Sequence, residues 1–206
     1  MKEFSFRLKK LSDCLVFHAA NGYDVPAWSK NESLMFDMKK LSWFGLAAKF
    51  GIEPPNELLL RLRGGSILRG VTNALEEQLN CHSTKKENEC GPYFFGLSAH
   101  DITIAALIGT FPDRYKILGD TPKVEYAAHI AFEMWKVDND FRLKIMYANS
   151  IEDEAKDVTQ YAPGCAELIN GLCDLKTFLN ATEPLSPLNP LEECSRLKGN
   201  NLLLFR

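Results

Sequence analysis

The chain has 206 residues, of which 46% are hydrophobic and 25% are charged, a composition that is typical of a globular protein and excludes a disordered one. Its formal net charge of −3 gives no general attraction to nucleic acid or to anionic membranes, so we expect no nucleic-acid partner and a local positive site for any anionic substrate. The sequence holds no apolar run of the roughly 18 residues that a membrane span needs, and residues 1–17 lack the pattern of a signal peptide.

The first part of the chain has the periodicity of helices. Residues 1–20 are predicted to be the end of a helix, and residues 32–50 form a second helix that Gly51 and the following prolines terminate. A third helical pattern covers residues 56–79. The Gly-Gly pair at 64–65 interrupts this pattern and predicts a break, a bend or a close helix contact.

The second part mixes strands and helices. An aromatic, apolar run predicts a buried strand over residues 93–98, and a buried helix follows over 102–108. A hairpin is predicted next, with strands over 127–136 and 141–148. The remaining predictions are a polar loop over 80–92, a short helix within 168–178, and an extended tail around Pro184, Pro187 and Pro190.

Four of the six cysteines form two closely spaced pairs. Cys81 and Cys90 bracket a polar stretch, and Cys165 and Cys173 bracket a short loop, so both spacings suit a local disulfide. Zinc, with His82 as a third ligand, is the alternative for the first pair.

His100 and Asp101 lie where the predicted buried strand ends and the predicted buried helix begins. This turn is the usual ligand position in open α/β sheets, and a helix N-terminus suits a phosphate group. A protonated His100 would donate a hydrogen bond to phosphate, and a protonated Asp101 would donate a proton to a leaving oxygen. The alternatives are that Asp101 is the N-cap of the helix and that His100 is a buried, hydrogen-bonded histidine.

Residues 94–103 read Phe-Phe-Gly-Leu-Ser-Ala-His-Asp-Ile-Thr and resemble the second active-site motif of the histidine acid phosphatases, in their prostatic and lysosomal branch. Further segments resemble the family and occur in its order. They are Val-Pro-Ala-Trp at 25–28, Leu-Arg-Gly-Gly-Ser-Ile-Leu at 62–68, Glu-Tyr-Ala-Ala-His at 125–129 and Ala-Pro-Gly-Cys at 162–165.

This resemblance implies an α/β fold, namely a phosphoglycerate-mutase-like mixed sheet flanked by helices with a helical cap, of which the chain would be the C-terminal portion only. Residues 1–60 would be the C-terminal part of the cap, and residues 61–206 the C-terminal part of the phosphatase domain. The family hydrolyses phosphate monoesters through a phosphohistidine intermediate, without a cofactor or a metal ion. The resemblance makes His100 the phosphate-binding histidine and Asp101 the proton donor.

The family's nucleophile motif, Arg-His-Gly-x-Arg-x-Pro, does not occur in the sequence. We therefore expect an N-terminally truncated member that keeps the phosphate ligand and the acid but lacks the nucleophile. His129 is considered as a substitute nucleophile. Since it lies within a predicted strand, the alternative is a packed or hydrogen-bonded histidine of the sheet. The alternatives for the whole chain are a catalytically inactive, phosphatase-like binding module and an inositol polyphosphate phosphatase of the same clan.

Other features favour an oxidising compartment. Asn31 and Asn180 each begin a glycosylation sequon, so they are candidate glycan sites. Together with the resemblance, they predict a lysosomal or extracellular full-length protein. A homodimer is left open. By resemblance, Cys14 and Cys194 would belong to disulfides whose partner cysteines are missing here, so their pairing stays open.

Overall fold

A computed structural model describes residues 2–84, 89–119 and 124–200. Its short 3-10 helices are Ala27–Lys30, Thr159–Tyr161 and Glu183–Leu185. Its α-helices are α1 (Lys2–Ala20), α2 (Glu32–Phe50), α3 (Glu57–Thr84), α4 (Asp101–Gly109), α5 (Arg114–Leu118), α6 (Leu175–Thr182) and α7 (Pro190–Asn200), and its strands are β1 (His129–Val137), β2 (Asp140–Ala148), β3 (Lys156–Asp157) and β4 (Cys173–Asp174).

The sheet is built around the predicted hairpin, which is confirmed. β1 pairs antiparallel with β2 from His129 opposite Ala148 to Val137 opposite Asp140. The other edge of β2 pairs antiparallel with β3 near Met146 and with β4 near Leu143. The two-residue hairpin turn requires a positive φ, and Asp138 adopts φ 55° there. The α/β fold class is thus confirmed, with helices flanking an antiparallel sheet.

Helix α2 has the predicted bounds because both of its ends are capped. The Asn31 side chain accepts a hydrogen bond from the Leu34 N–H at 3.1 Å, which satisfies an otherwise unpaired donor. At the other end, Gly51 adopts φ 77°, a left-handed conformation that glycine reaches without strain. The predicted helix over residues 32–50 and its stop at Gly51 are both confirmed.

Helix α3 is continuous through the Gly-Gly pair and extends to Thr84, five residues beyond the predicted end. A Cβ atom added at Gly64 would lie 2.0 Å from the Ala106 carbonyl oxygen, and one added at Gly65 would lie 2.1 Å from the Leu185 carbonyl oxygen. Of the three predicted alternatives, the close contact is therefore correct. The loop prediction for residues 80–84 was wrong.

The core lies between α3, α4, β2 and α6. The predicted buried helix at 102–108 is confirmed as α4, whose residues from Ala105 to Gly109 are buried. Burial alternates along β2, so its buried side chains share one face of the hairpin, and this is the face that the helices cover. Large buried residues of the core are Leu68, Ile108, Phe111, Leu143, Ile145, Leu175 and Phe178.

Both predicted disulfides are present. Cys81–Cys90 links the last turn of α3 to the start of the next segment, and it uses both thiols that the zinc alternative required. Cys165–Cys173 closes the loop before α6, and both of its cysteines are fully buried. Cys14 and Cys194 are exposed free cysteines.

The predicted buried strand over residues 93–98 is wrong. The segment is irregular, and Phe94 and Leu97 are 84% and 80% exposed. Strand formation requires a neighbouring strand to complete its hydrogen bonds, and within the described ranges all strand pairing of the sheet involves residues 129–174. An apolar run by itself does not supply that partner.

The predictions after residue 161 were also wrong in part. The helix expected within 168–178 begins only at Leu175, after the short strand β4, and runs to Thr182. The proline-rich tail is not extended throughout, because α7 begins at Pro190. A proline is well tolerated at a first helical position, where its missing N–H would be unpaired anyway, and Asn189 accepts a hydrogen bond from the Glu192 N–H. Residues 201–206 lie outside the described ranges.

Candidate active site

His100 is the N-cap residue of α4. Its backbone is extended, with φ −87° and ψ 159°, and its carbonyl oxygen accepts a hydrogen bond from the Thr103 N–H at 2.9 Å. The imidazole makes no capping hydrogen bond, and the residue is exposed. The alternative of a buried histidine is therefore wrong, and the ring faces solvent at the start of a buried helix.

Asp101 is the first residue of α4 and is 26% exposed. One carboxylate oxygen, Oδ1, accepts a hydrogen bond from the Ile102 N–H at 2.7 Å. The other, Oδ2, lies 4.0 Å from the Lys9 ammonium. The alternative that Asp101 is the N-cap is wrong, because His100 holds that position, although a carboxylate in the first turn still complements the helix dipole.

The first-turn N–H groups of α4 are less available than the sequence suggested. Those of Ile102 and Thr103 already donate to Asp101 and His100. A phosphate here would therefore depend on side-chain donors and on the helix dipole more than on backbone N–H groups.

The position of α4 is fixed by close packing. Gly64 lets α3 approach the Ala106 backbone, and a Cβ added at Gly109 would meet the Leu60 side chain at 2.8 Å. The C-terminal half of α4 is thereby held in the core, while its N-terminus opens toward the exposed segment 91–100. A cavity of about 110 Å³ lies elsewhere, at the turn of the hairpin, lined by Leu79 and Phe141 among others.

Lys9 faces Asp101, and Asp13 and Tyr126 interact electrostatically with this pair, an arrangement that the sequence did not predict. Lys9 on α1 pairs with Asp13 at 3.1 Å as well as facing Asp101. Tyr126 packs against Phe17, with ring centroids 5.5 Å apart. Burial raises the pKa of Tyr126, the negative charges of Asp13 and Asp101 raise it further, and the positive charge of Lys9 lowers it. Only the four-residue spacing of Lys9 and Asp13 is visible in the sequence, because the approach of Lys9 to Asp101 is a tertiary contact.

Comparison with known proteins places the chain in a family. The model of the histidine phosphatase superfamily (branch 2) matches residues 5–148, more than half of the chain. The chain belongs to this family.

Relatives of this chain are acid phosphatases by name. It is 25% identical to putative acid phosphatase 1 of Caenorhabditis elegans, over 87% of the chain and 43% of the relative. It is 27% identical to bovine lysosomal acid phosphatase, over 91% and 40% of the two chains. It is also 26% identical to venom acid phosphatase Acph-1 of Apis mellifera, over 88% and 42%. The family is one of phosphoric monoester hydrolases, and the chain spans less than half the length of these relatives.

The other histidines of the chain have different surroundings. His18 lies 3.7 Å from the Cys14 sulfur on α1. The ring of His82 is near those of Tyr93 and Phe141, with centroids 6.2 and 6.3 Å away. His129 is the first residue of β1 and pairs with Ala148 in the sheet, but it is exposed and so is not packed in the core.

The two candidate glycan sites are both exposed. Asn31 caps α2 through its side-chain oxygen, which leaves the amide nitrogen that would carry a glycan out of that hydrogen bond. Asn180 lies within α6. Among the described residues, none of the helices combines the length and apolar character of a membrane span.

Proposed function

We propose that His100 and Asp101 form the phosphate-binding and proton-donating part of an acid phosphatase active site, and that its substrate is a phosphate monoester. The observation that carries the proposal is their adjacency at the N-terminus of α4, with an exposed imidazole beside a half-buried carboxyl group. Membership of the histidine phosphatase family supports it.

His100 binds the substrate in this proposal. A protonated imidazole donates a charged hydrogen bond to a phosphate oxygen, and the positive end of the α4 dipole adds to the attraction. Because the ring makes no capping hydrogen bond, a ligand does not have to displace a helix contact.

Asp101 acts as the general acid. When a nucleophile bonds to phosphorus, the bond between phosphorus and the ester oxygen breaks, and the departing oxygen takes a proton from the Asp101 carboxyl group, so that the product leaves as a neutral alcohol. Oδ1 accepts the Ile102 N–H, and we assign the transferred proton to Oδ2.

The phosphohistidine step requires a nucleophile. The family uses the histidine of an Arg-His-Gly motif, which the 206 residues do not contain. We therefore propose that this chain supplies the phosphate ligand and the acid but does not turn over substrate by itself. The same observation favours the second candidate function, a catalytically inactive, phosphatase-like binding module.

We further propose that residues 1–60 belong to the cap and residues 61–206 to the phosphatase domain. The described part of the first region consists of helices joined by turns, whereas all described strands of the sheet lie after residue 128. α1 would then bring a cap residue, Lys9, to the first turn of α4 in the phosphatase domain.

The names of the bovine lysosomal and bee venom relatives support a lysosomal or secreted location for the full-length protein. Two disulfides and two exposed sequons agree with that proposal, since both features belong to oxidising, secretory compartments. A homodimer stays a prediction.

Binding of inorganic phosphate to the chain at pH 5 and low salt, followed by calorimetry, tests the role of His100. His100→Ala should weaken binding about tenfold, the loss expected for one charge-assisted hydrogen bond. Asp101→Asn should change the phosphate affinity by less than about threefold, because the acid is needed for the chemical step rather than for binding. His129→Ala is the matched control, an exposed histidine on β1 that should not affect binding.

Hydrolysis of an aryl phosphate at pH 5 is measured in parallel. We expect no rate above that of the buffer, because no nucleophile assists the reaction. Equal phosphate binding by the unaltered chain and by His100→Ala would contradict the proposed site. A hydrolysis rate abolished by His129→Ala would instead make His129 the nucleophile.

A further inference from the structure

Lys9 brings a positive charge to the proposed site from a different part of the chain. Its ammonium lies 4.0 Å from Oδ2 of Asp101, the oxygen to which we assign the transferred proton. The Lys9 side chain is only 26% exposed, so its position is restricted by packing.

The ammonium is held mainly by α1 and α2. Asp13, one turn further along α1, pairs with it at 3.1 Å, and the ring of Trp43 on α2 lies 5.9 Å from it. Trp43 is 7% exposed, which makes it a rigid support for the lysine stem. The longer distance to Asp101 indicates that Asp101 is the weaker of the two carboxylate partners.

The charges around the site are suited to a phosphate monoester. With Asp101 protonated for its role as an acid, Lys9 and Asp13 neutralise each other and a protonated His100 leaves one net positive charge. Below its second ionisation, at about pH 6, a phosphate monoester carries one net negative charge. Lys9 then faces one charged carboxylate, that of Asp13, instead of two. Because an ammonium group has three N–H donors, it can bind a phosphate oxygen while it keeps its pair with Asp13.

We propose that Lys9 is a second ligand of the substrate phosphate, acting beside His100. This inference rests on the proposed function of His100 and Asp101, and it names the residue through which the cap takes part in substrate binding. Lysine is suited to this role because its charge lies at the end of a flexible chain and can move from one oxygen to another.

The test is titration of the whole chain with inorganic phosphate at pH 5 and low salt. We expect Lys9→Gln to weaken binding about tenfold and Lys9→Arg to keep it within about threefold. Lys40→Gln is the matched control, an exposed lysine on α2 with the same change in charge, and it should alter binding less than twofold.

Asp101→Asn separates a ligand from a lysine that only positions α1. It removes the carboxylate charge that Lys9 faces on α4 but leaves the ammonium in place, so we expect phosphate binding to stay within about threefold. If Lys9 acted only by holding α1 against α4, Asp101→Asn would weaken binding as much as Lys9→Gln does. Asp13→Asn, which removes the partner of Lys9 within α1, should leave phosphate binding unchanged or tighter.

The outcomes distinguish this inference from the proposed function. Loss of binding in His100→Ala with unchanged binding in Lys9→Gln would overturn the role of Lys9 and leave that of His100. Loss in Lys9→Gln with unchanged binding in His100→Ala would support Lys9 and overturn His100. Absence of phosphate binding by the unaltered chain would overturn both.

Discussion

The hairpin over residues 129–148 and the segment over residues 91–100 contain similar apolar and aromatic sequences but have opposite structures. The hairpin buries Leu143 and Ile145 completely, whereas Phe94 and Leu97 in the other segment are more than three-quarters exposed. The difference lies in where each finds its hydrogen-bonding partner. β1 meets β2 across a two-residue turn, and the segment before α4 has no described strand beside it. Apolar character predicts burial only where a partner is available.

The largest expected effect comes from a matched pair of leucines, one in each region. Leu143→Ala should lower the free energy of unfolding by about 3 kcal/mol, because it leaves a cavity in a fully buried position. Leu97→Ala should change it by less than about 0.5 kcal/mol, because Leu97 is 80% exposed. Urea denaturation of the two variants measures both values. If both variants lost the same free energy of unfolding, the segment before α4 would be packed in solution, and it would not differ from the hairpin in burial.

A smaller change in the free energy of unfolding is expected at the contact between α3 and α4, which holds α4 in the core. Gly64→Ala should destabilise the protein by about 2 kcal/mol, because the new methyl group would meet a backbone carbonyl oxygen that cannot move cheaply. Gly70→Ala, on an open face of the same helix, should stabilise it by about 0.5–1 kcal/mol through helix propensity. Thermal melting of both variants checks the sign, and a stabilised Gly64→Ala variant would disprove the close contact.

The smallest effect concerns Asp174, which connects α6 to the hairpin. Burial acts to raise the pKa of Asp174, but hydrogen bonds from the Thr177 N–H and hydroxyl and the charge of Arg142 outweigh it and lower that pKa below its usual value. A lowered pKa stabilises the fold at higher pH, and this contribution is lost as the pH falls through the folded-state pKa.

Asp174→Ala should therefore cost about 1 kcal/mol at pH 6, the value of a lost helix cap, and the difference from the unaltered protein should narrow below about pH 4. Urea denaturation at pH 6 and pH 3 measures this. Asp174→Asn, which keeps the cap, should show a smaller penalty at pH 6. A penalty for Asp174→Ala that is independent of pH would show that the charge of Asp174 does not stabilise the fold.

Local signals predicted much of this fold. α2 was recognised with both ends because Asn31 and Gly51 are strong capping residues, and the hairpin was recognised from alternation around a short polar turn. The end of α3 was missed because its last turn is polar. There Ser83 and Thr84 donate their hydroxyls to Leu79 and Asn80 carbonyl oxygens within the helix, so polar side chains do not break it.

The candidate site was predicted only in part. The position of His100 and Asp101 before a buried helix followed from adjacent sequence, and the resemblance of their motif suggested their roles. Lys9 and Tyr126 could not be found in this way, since they approach Asp101 from about 90 residues before it and 25 residues after it. Such contacts depend on how α1 and the loop before β1 fold onto α4, and no short pattern encodes that arrangement.

The Cys81–Cys90 disulfide gives the chain a second covalent path around residues 82–89. Lys85 and Lys86, the residues after which trypsin-like proteases cut, lie in this interval of the sequence. Backbone cleavage after either lysine would leave the N-terminal and C-terminal fragments as one molecule, and only a reductant would release them. The covalent integrity of this protein therefore depends on the redox state of its surroundings as well as on an intact backbone.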